Sequence, residues 1–297
     1  MKALLHLTAE ETQPRSLETH SHCFTAFNYF VLGTRSTDQR IPRPFFHYIP
    51  CTTSEMSAPK TIAFFGATIG CGLATLSNAL DADTRCIALC RTPSKLQGLF
   101  SDDKASRLTI IEGNVHDVDA VKKCLTVDGT HLVDTIIFSI GSRSMNYKLE
   151  LDDPSICRRA IATVLEALNQ LRRQGLTGRP RLIALSTTGI SQFGPDTPYI
   201  VGLLYYYLLY SPHEDKKAME QLITGSDEDF TIVRSSWMLD GATNKAIRVG
   251  VEDPKHGRES NAIGYSITRE DVGKWIFENL VQNDNGVYVR KIATITH

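Results

Sequence analysis

The chain has 297 residues, of which 42% are hydrophobic and 22% charged, and its formal net charge is −1 at pH 7. This composition excludes collagen-like, low-complexity and wholly disordered proteins, and the balanced charge argues against recruitment of nucleic acid or of an anionic membrane surface. The longest apolar run, residues 199–210, is shorter than the roughly 18 residues that a membrane-spanning helix needs, so no membrane span is predicted.

The first 55 residues differ from the rest of the chain. They contain four of the nine histidines and show neither helical nor strand periodicity. They lack the apolar segment of a signal peptide, and their acidic residues argue against a mitochondrial presequence. We expect residues 1–55 to be a poorly ordered extension, or to precede the natural start of the protein, and residues 56–297 to form one domain.

The cysteines and histidines indicate neither disulfides nor a metal. The seven cysteines are an odd number and form no CxxC pair, and five of them fall in predicted strands or helices. We therefore expect reduced, buried thiols in a cytoplasmic protein. His20, His22 and Cys23 are capable metal ligands, but no second ligand group follows at the spacing of known sites, so no metal is predicted.

From residue 60 onward, short apolar strands alternate with helical patterns, which is typical of βαβ units and predicts an α/β protein with a doubly wound parallel sheet. Ligands are then expected beyond the carboxyl ends of the strands. Strands are predicted at residues 61–65, 86–90, 108–112, 132–140, 182–186, 230–233 and 287–295, with a further segment at 246–251. Helices are predicted at residues 70–80, 94–100, 118–125, 154–173 and 269–281, and another begins at residues 211–214.

A glycine-rich loop follows the first predicted strand. Gly66 allows a tight turn, Gly70 lets the backbone approach a pyrophosphate, and Gly72 allows close packing of helix on strand. The helix that begins here offers unpaired N–H groups to phosphates. In this strand–loop–helix context the loop predicts a dinucleotide site, and we assign to it Gly66, Thr68, Ile69, Gly70 and Gly72.

The end of the second predicted strand indicates which dinucleotide is bound. NAD-specific folds carry an acidic residue at this point to hold the ribose 2′-hydroxyl, whereas this chain continues into Arg91, Ser94 and Lys95. Arginine can stack on adenine and pair with a 2′-phosphate, assisted by Lys95 or the Ser94 hydroxyl. We predict NADP rather than NAD, the alternative being that Arg91 is only a solvated loop charge.

The chain resembles the atypical short-chain dehydrogenase/reductases of the NmrA-like and biliverdin-reductase-B-like branch, and among them fungal NAD(P)-binding oxidoreductases. The resemblance extends over residues 60–297, through FFGATIGCGLATL, ALCRTPSKL, IIEGNVHD, LIALSTTGIS, DKKAMEQLI, TIVRSSWMLDG and GYSITREDVGKWIFENL. It implies a Rossmann-type fold with substrate-side segments at about 189–210 and 236–268. It also implies that Asn114 and Val115 flank adenine and that Ser139 and Gly141 lie near the nicotinamide-side ribose. Ile69 departs from the glycine usual in this group and predicts a narrower pyrophosphate groove.

Standard members of that superfamily use a Ser–Tyr–Lys set, in which the hydroxyls hold and protonate a carbonyl and the lysine grips the ribose. Ser186 ends the fifth predicted strand and fits the serine, the alternative being a hydroxyl that caps backbone. The Tyr-x-x-x-Lys element is absent, because Pro212 and His213 stand four residues before Lys216 and Lys217. Lys216, on the apolar side of its helix, is our candidate for the lysine, against a plain surface charge.

Four tyrosines upstream of this helix suggest either a hydrophobic lid or one wall of a substrate pocket: Tyr205, Tyr206, Tyr207 and Tyr210. In the second case Tyr210 would donate a proton. His213 is a second candidate acid, or simply a solvated side chain. Trp237, Met238 and Asp240 occur where this superfamily places substrate-facing residues.

Two functions are compatible with these residues. The first is an NADPH-dependent oxidoreductase that reduces a small hydrophobic carbonyl, quinone or enone, possessing an aromatic or polyketide-like framework, without a Tyr-x-x-x-Lys pair. The second is a non-catalytic NADP-binding sensor of NmrA type that acts through a protein partner. The retained serine and the tyrosines favour the first function, and the missing pair favours the second.

Overall fold

The computed structural model describes residues 60–141, 153–198 and 210–297. The predicted extension at residues 1–55, the His20–Cys23 cluster and the tyrosines at 205–207 lie outside these ranges. The strands are β1 (Thr61–Phe65), β2 (Arg85–Cys90), β3 (Leu108–Glu112), β4 (Thr135–Phe138), β5 (Arg181–Thr187), β6 (Asp229–Ser235), β7 (Trp237–Leu239), β8 (Arg248–Asp253), β9 (Gly257–Ser260), β10 (Ser266–Thr268) and β11 (Lys291–Thr296). The α-helices are α1 (Gly70–Asp81), α2 (Asp102–Ala105), α3 (Val118–Leu125), α4 (Ile156–Arg173), α5 (Tyr210–Thr224) and α6 (Arg269–Ile276).

Nine of these strands form one sheet in the order β3-β2-β1-β4-β5-β6-β11-β8-β9, and β7 pairs with β10 separately. Every pairing from β3 to β11 is parallel, whereas β8 runs antiparallel to β11 and β9 antiparallel to β8. The predicted doubly wound parallel sheet is thereby confirmed, with an antiparallel edge that the sequence pattern does not reveal.

The parallel strands are almost continuous apolar runs because helices cover both faces of the sheet. Successive residues point to opposite faces, so Phe65 joins the core beneath α3, α4 and α5, while Phe64 joins the core beneath α1 and α6. The five cysteines in the described ranges are all free, and all are buried as predicted. Within those ranges, no helix combines the length and apolarity that a bilayer crossing requires.

Several predicted boundaries are wrong. The helix expected at residues 94–100 is only a 3₁₀ turn, Pro93–Lys95, because Gly98 has a φ of +77° and leaves the helical region. The strand expected at residues 132–140 is confined to β4, since Leu132 pairs instead with Thr126 in an isolated antiparallel bridge. Ser211 lies inside α5 rather than capping it. The helix expected at 269–281 is α6 followed by a π-helical segment, Phe277–Gln282.

Candidate functional site

The site is at the carboxyl edge of the sheet, where the chain order of the strands changes direction. β1 lies between β2 and β4, so the crossovers that leave β1 on its two sides open a crevice above it. Residues following β2 and β3 lie on one side of this crevice, and residues following β4 and β5 lie on the other. A dinucleotide stretched across the edge would therefore meet the loop after β1 at its middle.

The glycine loop after β1 is held against the end of β4. Gly66 has a φ of +95°, a conformation that L side chains rarely adopt. A β-carbon on Gly66 would lie 2.8 Å from the Ser139 carbonyl carbon, and one on Gly72 would overlap both the Ser139 hydroxyl and the Gly66 carbonyl oxygen. The Ser139 Oγ donates to the Gly66 carbonyl at 3.0 Å. The glycines thus form a cradle, meaning a loop whose backbone carries no side chain at these positions, and the hydrogen bond from Ser139 stabilises its conformation.

The N-terminus of α1 is uncapped. Ile69 occupies the cap position with extended backbone, no side chain accepts a hydrogen bond from the first turn, and that turn contains no acidic residue. By contrast, the Asp117 carboxylate caps α3 and the Thr268 hydroxyl caps α6. Free N–H groups and the helix dipole make such an end suited to an anion. Thr68 is half-buried, and 47% of Ile69 is exposed.

Basic and polar residues border the crevice on the β2–β3 side. Arg91 and Lys95 are exposed, and their side chains form no hydrogen bond or ion pair within the described ranges. Asn114 is exposed and accepts from the His116 backbone N–H at 3.1 Å, while Val115 packs partly against the core. Because β2 and β3 are neighbours in the sheet, the residues predicted to bind a 2′-phosphate, which follow β2, lie on the same side of the crevice as those predicted to flank adenine, which follow β3.

Ser186 and Lys216 lie on the other side of the crevice. Ser186 is only 2% exposed, and its hydroxyl has no hydrogen-bond partner in the described ranges. Lys216, on α5, donates to the carbonyl oxygens of Ile140 and Leu185, at 2.9 and 2.8 Å. It therefore joins the carboxyl ends of β4 and β5 directly beside Ser186. A plain surface charge, the alternative considered for Lys216, does not describe a half-buried ammonium with two backbone acceptors.

Tyr210 and His213 are less well placed for acid catalysis. Tyr210 is 57% exposed, and its position six residues before Lys216 rotates it about 120° away from that lysine around the helix axis. The interpretation of His213 as a solvated side chain is wrong, because the residue is buried. Burial lowers the pKa of His213 to about 4, so the ring is neutral at pH 7.

The second segment predicted to face the substrate, at about residues 236–268, contacts the helix that follows the glycine loop. The Cys71 thiol, in the first turn of α1, lies 3.4 Å from the Met238 sulfur on β7. Trp237 is exposed, and Asp240 follows the strand. Gly141, at the limit of a described range, is exposed, and a β-carbon on it would meet no atom of the described residues within 4 Å.

Sequence reasoning missed two groups of charged residues. Arg269 lies against Gly70 and forms an ion pair with Asp240 at 2.5 Å. Near the ends of β5 and β6, the buried Arg234 contacts three buried carboxylates: Glu220, Glu252 and Asp196. Burial raises the pKa of Asp196. No local periodicity marks either group, since each joins residues that are distant in sequence.

Comparison with known proteins identifies relatives over most of the chain. A family model described as NAD(P)H-binding matches residues 66–283. The chain is similar to Reductase pytE of Aspergillus terreus, at 40% identity over 267 residues that cover 81% of this chain and 99% of that protein. It is also similar to Oxidase pynE of Aspergillus niger, at 33% identity over 281 residues with the same two coverages.

A solved short-chain dehydrogenase/reductase from Veillonella parvula, in complex with NADP, shares the fold. It is 16% identical, has a TM-score of 0.59, and the match covers 81% of this chain and 95% of that chain. At this level of identity the likeness concerns the fold alone.

Proposed function

This chain belongs to the NAD(P)H-binding family, and we propose that it is an oxidoreductase that uses NADPH, in preference to NADH, to reduce a small hydrophobic carbonyl, quinone or enone. The proposal is carried by the uncapped N-terminus of α1 behind its glycine cradle. A helix end with free N–H groups, at the point where the strand order of a doubly wound sheet changes direction, is suited to a dinucleotide pyrophosphate.

The cofactor would lie across the carboxyl edge from β3 to β5. Gly66, Thr68, Ile69, Gly70 and Gly72 would receive the pyrophosphate, with Ser139 maintaining the loop geometry. On one side, Asn114 and Val115 would flank the adenine, and Arg91 and Lys95 would receive the 2′-phosphate. Arg91 is exposed and has no hydrogen-bond or ion-pair partner in the described ranges, which supports this role, because its guanidinium can form a bidentate pair without first breaking another. On the other side, Gly141 would lie near the nicotinamide-side ribose.

When bound, the nicotinamide supplies a hydride to the substrate carbon. The chain must then allow one proton to reach the substrate oxygen. Tyr210 is offset from Lys216, and His213 is neutral at pH 7. We therefore assign proton delivery to water, with Tyr210 as the candidate side-chain donor. This limits the substrates to easily reduced quinones, enones and activated carbonyls.

Ser186 and Lys216 have distinct roles in this proposal. The Ser186 hydroxyl has no partner in the described ranges and would orient a substrate oxygen. Lys216 acts by maintaining the spacing of β4 and β5 through its two carbonyl contacts. The segments at about 189–210 and 236–268 would form the substrate pocket.

A second candidate function is that of a non-catalytic NADP sensor that binds a protein partner. The burial of the Ser186 hydroxyl and the engagement of Lys216 with backbone carbonyls favour it, because neither group is then presented to a substrate.

The test is oxidation of NADPH by the full chain with a panel of quinones, flavins, enones and activated ketones, after nicotinamide fluorescence has established binding. We expect turnover with at least one acceptor, and a fall of about tenfold or more in Ser186→Ala if its hydroxyl orients the substrate. Ser226→Ala, which removes a hydroxyl at the opposite edge of the sheet, is the matched control. Tight binding without turnover would favour the sensor, and absence of binding would reject both functions.

A further inference from the structure

Arg269 lies beside the glycine loop although it is far from it in sequence. A β-carbon on Gly70 would lie 3.2 Å from Arg269 Cδ and 3.8 Å from its Nε. The approach is possible because α6 packs along α1 in the same direction, with Gly273 in close contact with Ala74 and Thr75. The guanidinium stem therefore lies against the helix end that has no cap.

The β7–β10 pair brings Asp240 and Arg269 together. These two strands are parallel, with Leu239 opposite Thr268, so the next residue of each strand emerges at the same level. The resulting ion pair measures 2.5 Å between Arg269 Nη1 and Asp240 Oδ1, and the Asp240 side chain is 85% exposed. Such an exposed pair contributes little stability by itself, and its carboxylate can be exchanged for another anion.

The charge of Arg269 acts on the first turn of α1. Burial raises the pKa of the Cys71 thiol to about 12, and the largest opposing influence is the positive charge of Arg269. Glu270 acts in the other direction but more weakly. The electrostatic potential at the uncapped end of α1 is thus made more positive by a side chain outside the loop.

We propose that Arg269 binds the pyrophosphate of the dinucleotide, and that Asp240 holds the guanidinium beside the loop and competes with the phosphates for it. This inference rests on the proposed use of a dinucleotide and adds a cofactor contact from the carboxyl-terminal part of the chain. Because the pyrophosphate is common to both cofactors, Arg269 serves NADPH and NADH equally, whereas Arg91 distinguishes them.

The test measures binding of NADPH, NADH and inorganic pyrophosphate to the full-length wild type, Arg269→Gln, Arg269→Lys and Asp240→Asn. We expect Arg269→Gln to weaken both dinucleotides by the same factor, about tenfold or more, as for the loss of a charge-assisted contact. Arg269→Lys should retain part of the affinity. Asp240→Asn should tighten binding by up to about fivefold, because the guanidinium no longer has to leave a carboxylate.

Lys274→Gln removes a positive charge from the same helix away from the loop and serves as the matched control, with unliganded melting temperatures as a check on folding. Opposite effects of the Arg269 and Asp240 variants would support the inference, since a merely structural ion pair would give the same sign for both. If the wild type binds dinucleotide and Arg269→Gln binds it equally tightly, the inference is overturned but the proposed function stands. If the protein binds pyrophosphate through Arg269 but binds neither dinucleotide, the anion contact stands and the proposed function is rejected. If none of the three probes binds, both are rejected.

Discussion

At the scale of single residues, Arg91 is the side chain proposed to decide between NADPH and NADH. It follows β2 without a partner in the described ranges, on the side of the crevice assigned to adenosine. We expect Arg91→Ala to weaken NADPH binding by about tenfold or more through loss of a charge-assisted pair with the 2′-phosphate, and to leave NADH binding nearly unchanged. Titration of nicotinamide fluorescence measures both affinities.

Arg85 provides the matched control, because it is an exposed arginine at the opposite end of the same strand. Arg85→Ala should alter neither affinity. An equal loss for NADPH and NADH in Arg91→Ala would mean that this side chain stacks on adenine or acts through general charge, and the predicted NADP preference would then lose its basis.

At the scale of elements, Lys216 connects α5 to the ends of β4 and β5. Lys216→Met keeps the length of the stem but leaves the Ile140 and Leu185 carbonyls without this donor, so the free energy of unfolding should fall by about 1–3 kcal/mol. Lys217→Met, which removes an exposed pair with Glu214, should cost less than about 0.5 kcal/mol. Urea unfolding at pH 7 measures both variants, and similar losses would show that the carbonyl contacts contribute nothing particular.

The helices and strands also show how much of the fold local sequence patterns can predict. β3 and α3 were predicted to the residue, because an apolar strand and an amphipathic helix with an Asp cap are specified by neighbouring residues. The short strands β7, β9 and β10 were missed, since three or four residues carry no measurable period. Two of these strands, β7 and β10, bring Asp240 and Arg269 together beside the loop, so this part of the proposed site could not be predicted.

At the scale of the whole molecule, the Arg234 cluster joins α5, β6, β8 and the loop after β5. Asp196 is nearly fully buried there, accepts from the Gly189 N–H at 2.9 Å, and has its second oxygen 4.0 Å from Arg234. Burial raises its pKa in the folded state. The folded protein therefore binds this proton more tightly than the unfolded chain, and the corresponding stability, complete below about pH 4, is lost as the pH rises through the folded-state pKa.

Asp196→Asn keeps the acceptor for Gly189 but cannot ionise. We expect the variant to gain stability relative to wild type as the pH rises from 4 to 7, measured by urea unfolding at several pH values. Asp119→Asn is the control with the opposite sign, because hydrogen bonding from Lys122, which stays charged over this pH range, lowers the pKa of Asp119. Its difference from wild type should be constant above about pH 5. A pH-independent difference for Asp196→Asn would contradict the expectation.

The sequence by itself determined the family, the doubly wound sheet and the position of the glycine loop. These depend on signals within a few residues of one another: an apolar run for a strand buried on both faces, and glycine where φ is positive or a β-carbon has no room. The tertiary structure alone decided that Ser186 is buried, that Lys216 bridges two strands, and that Arg269 meets Gly70. Such contacts join distant residues through strand order and helix packing, and no local period encodes which side chains those arrangements will bring together.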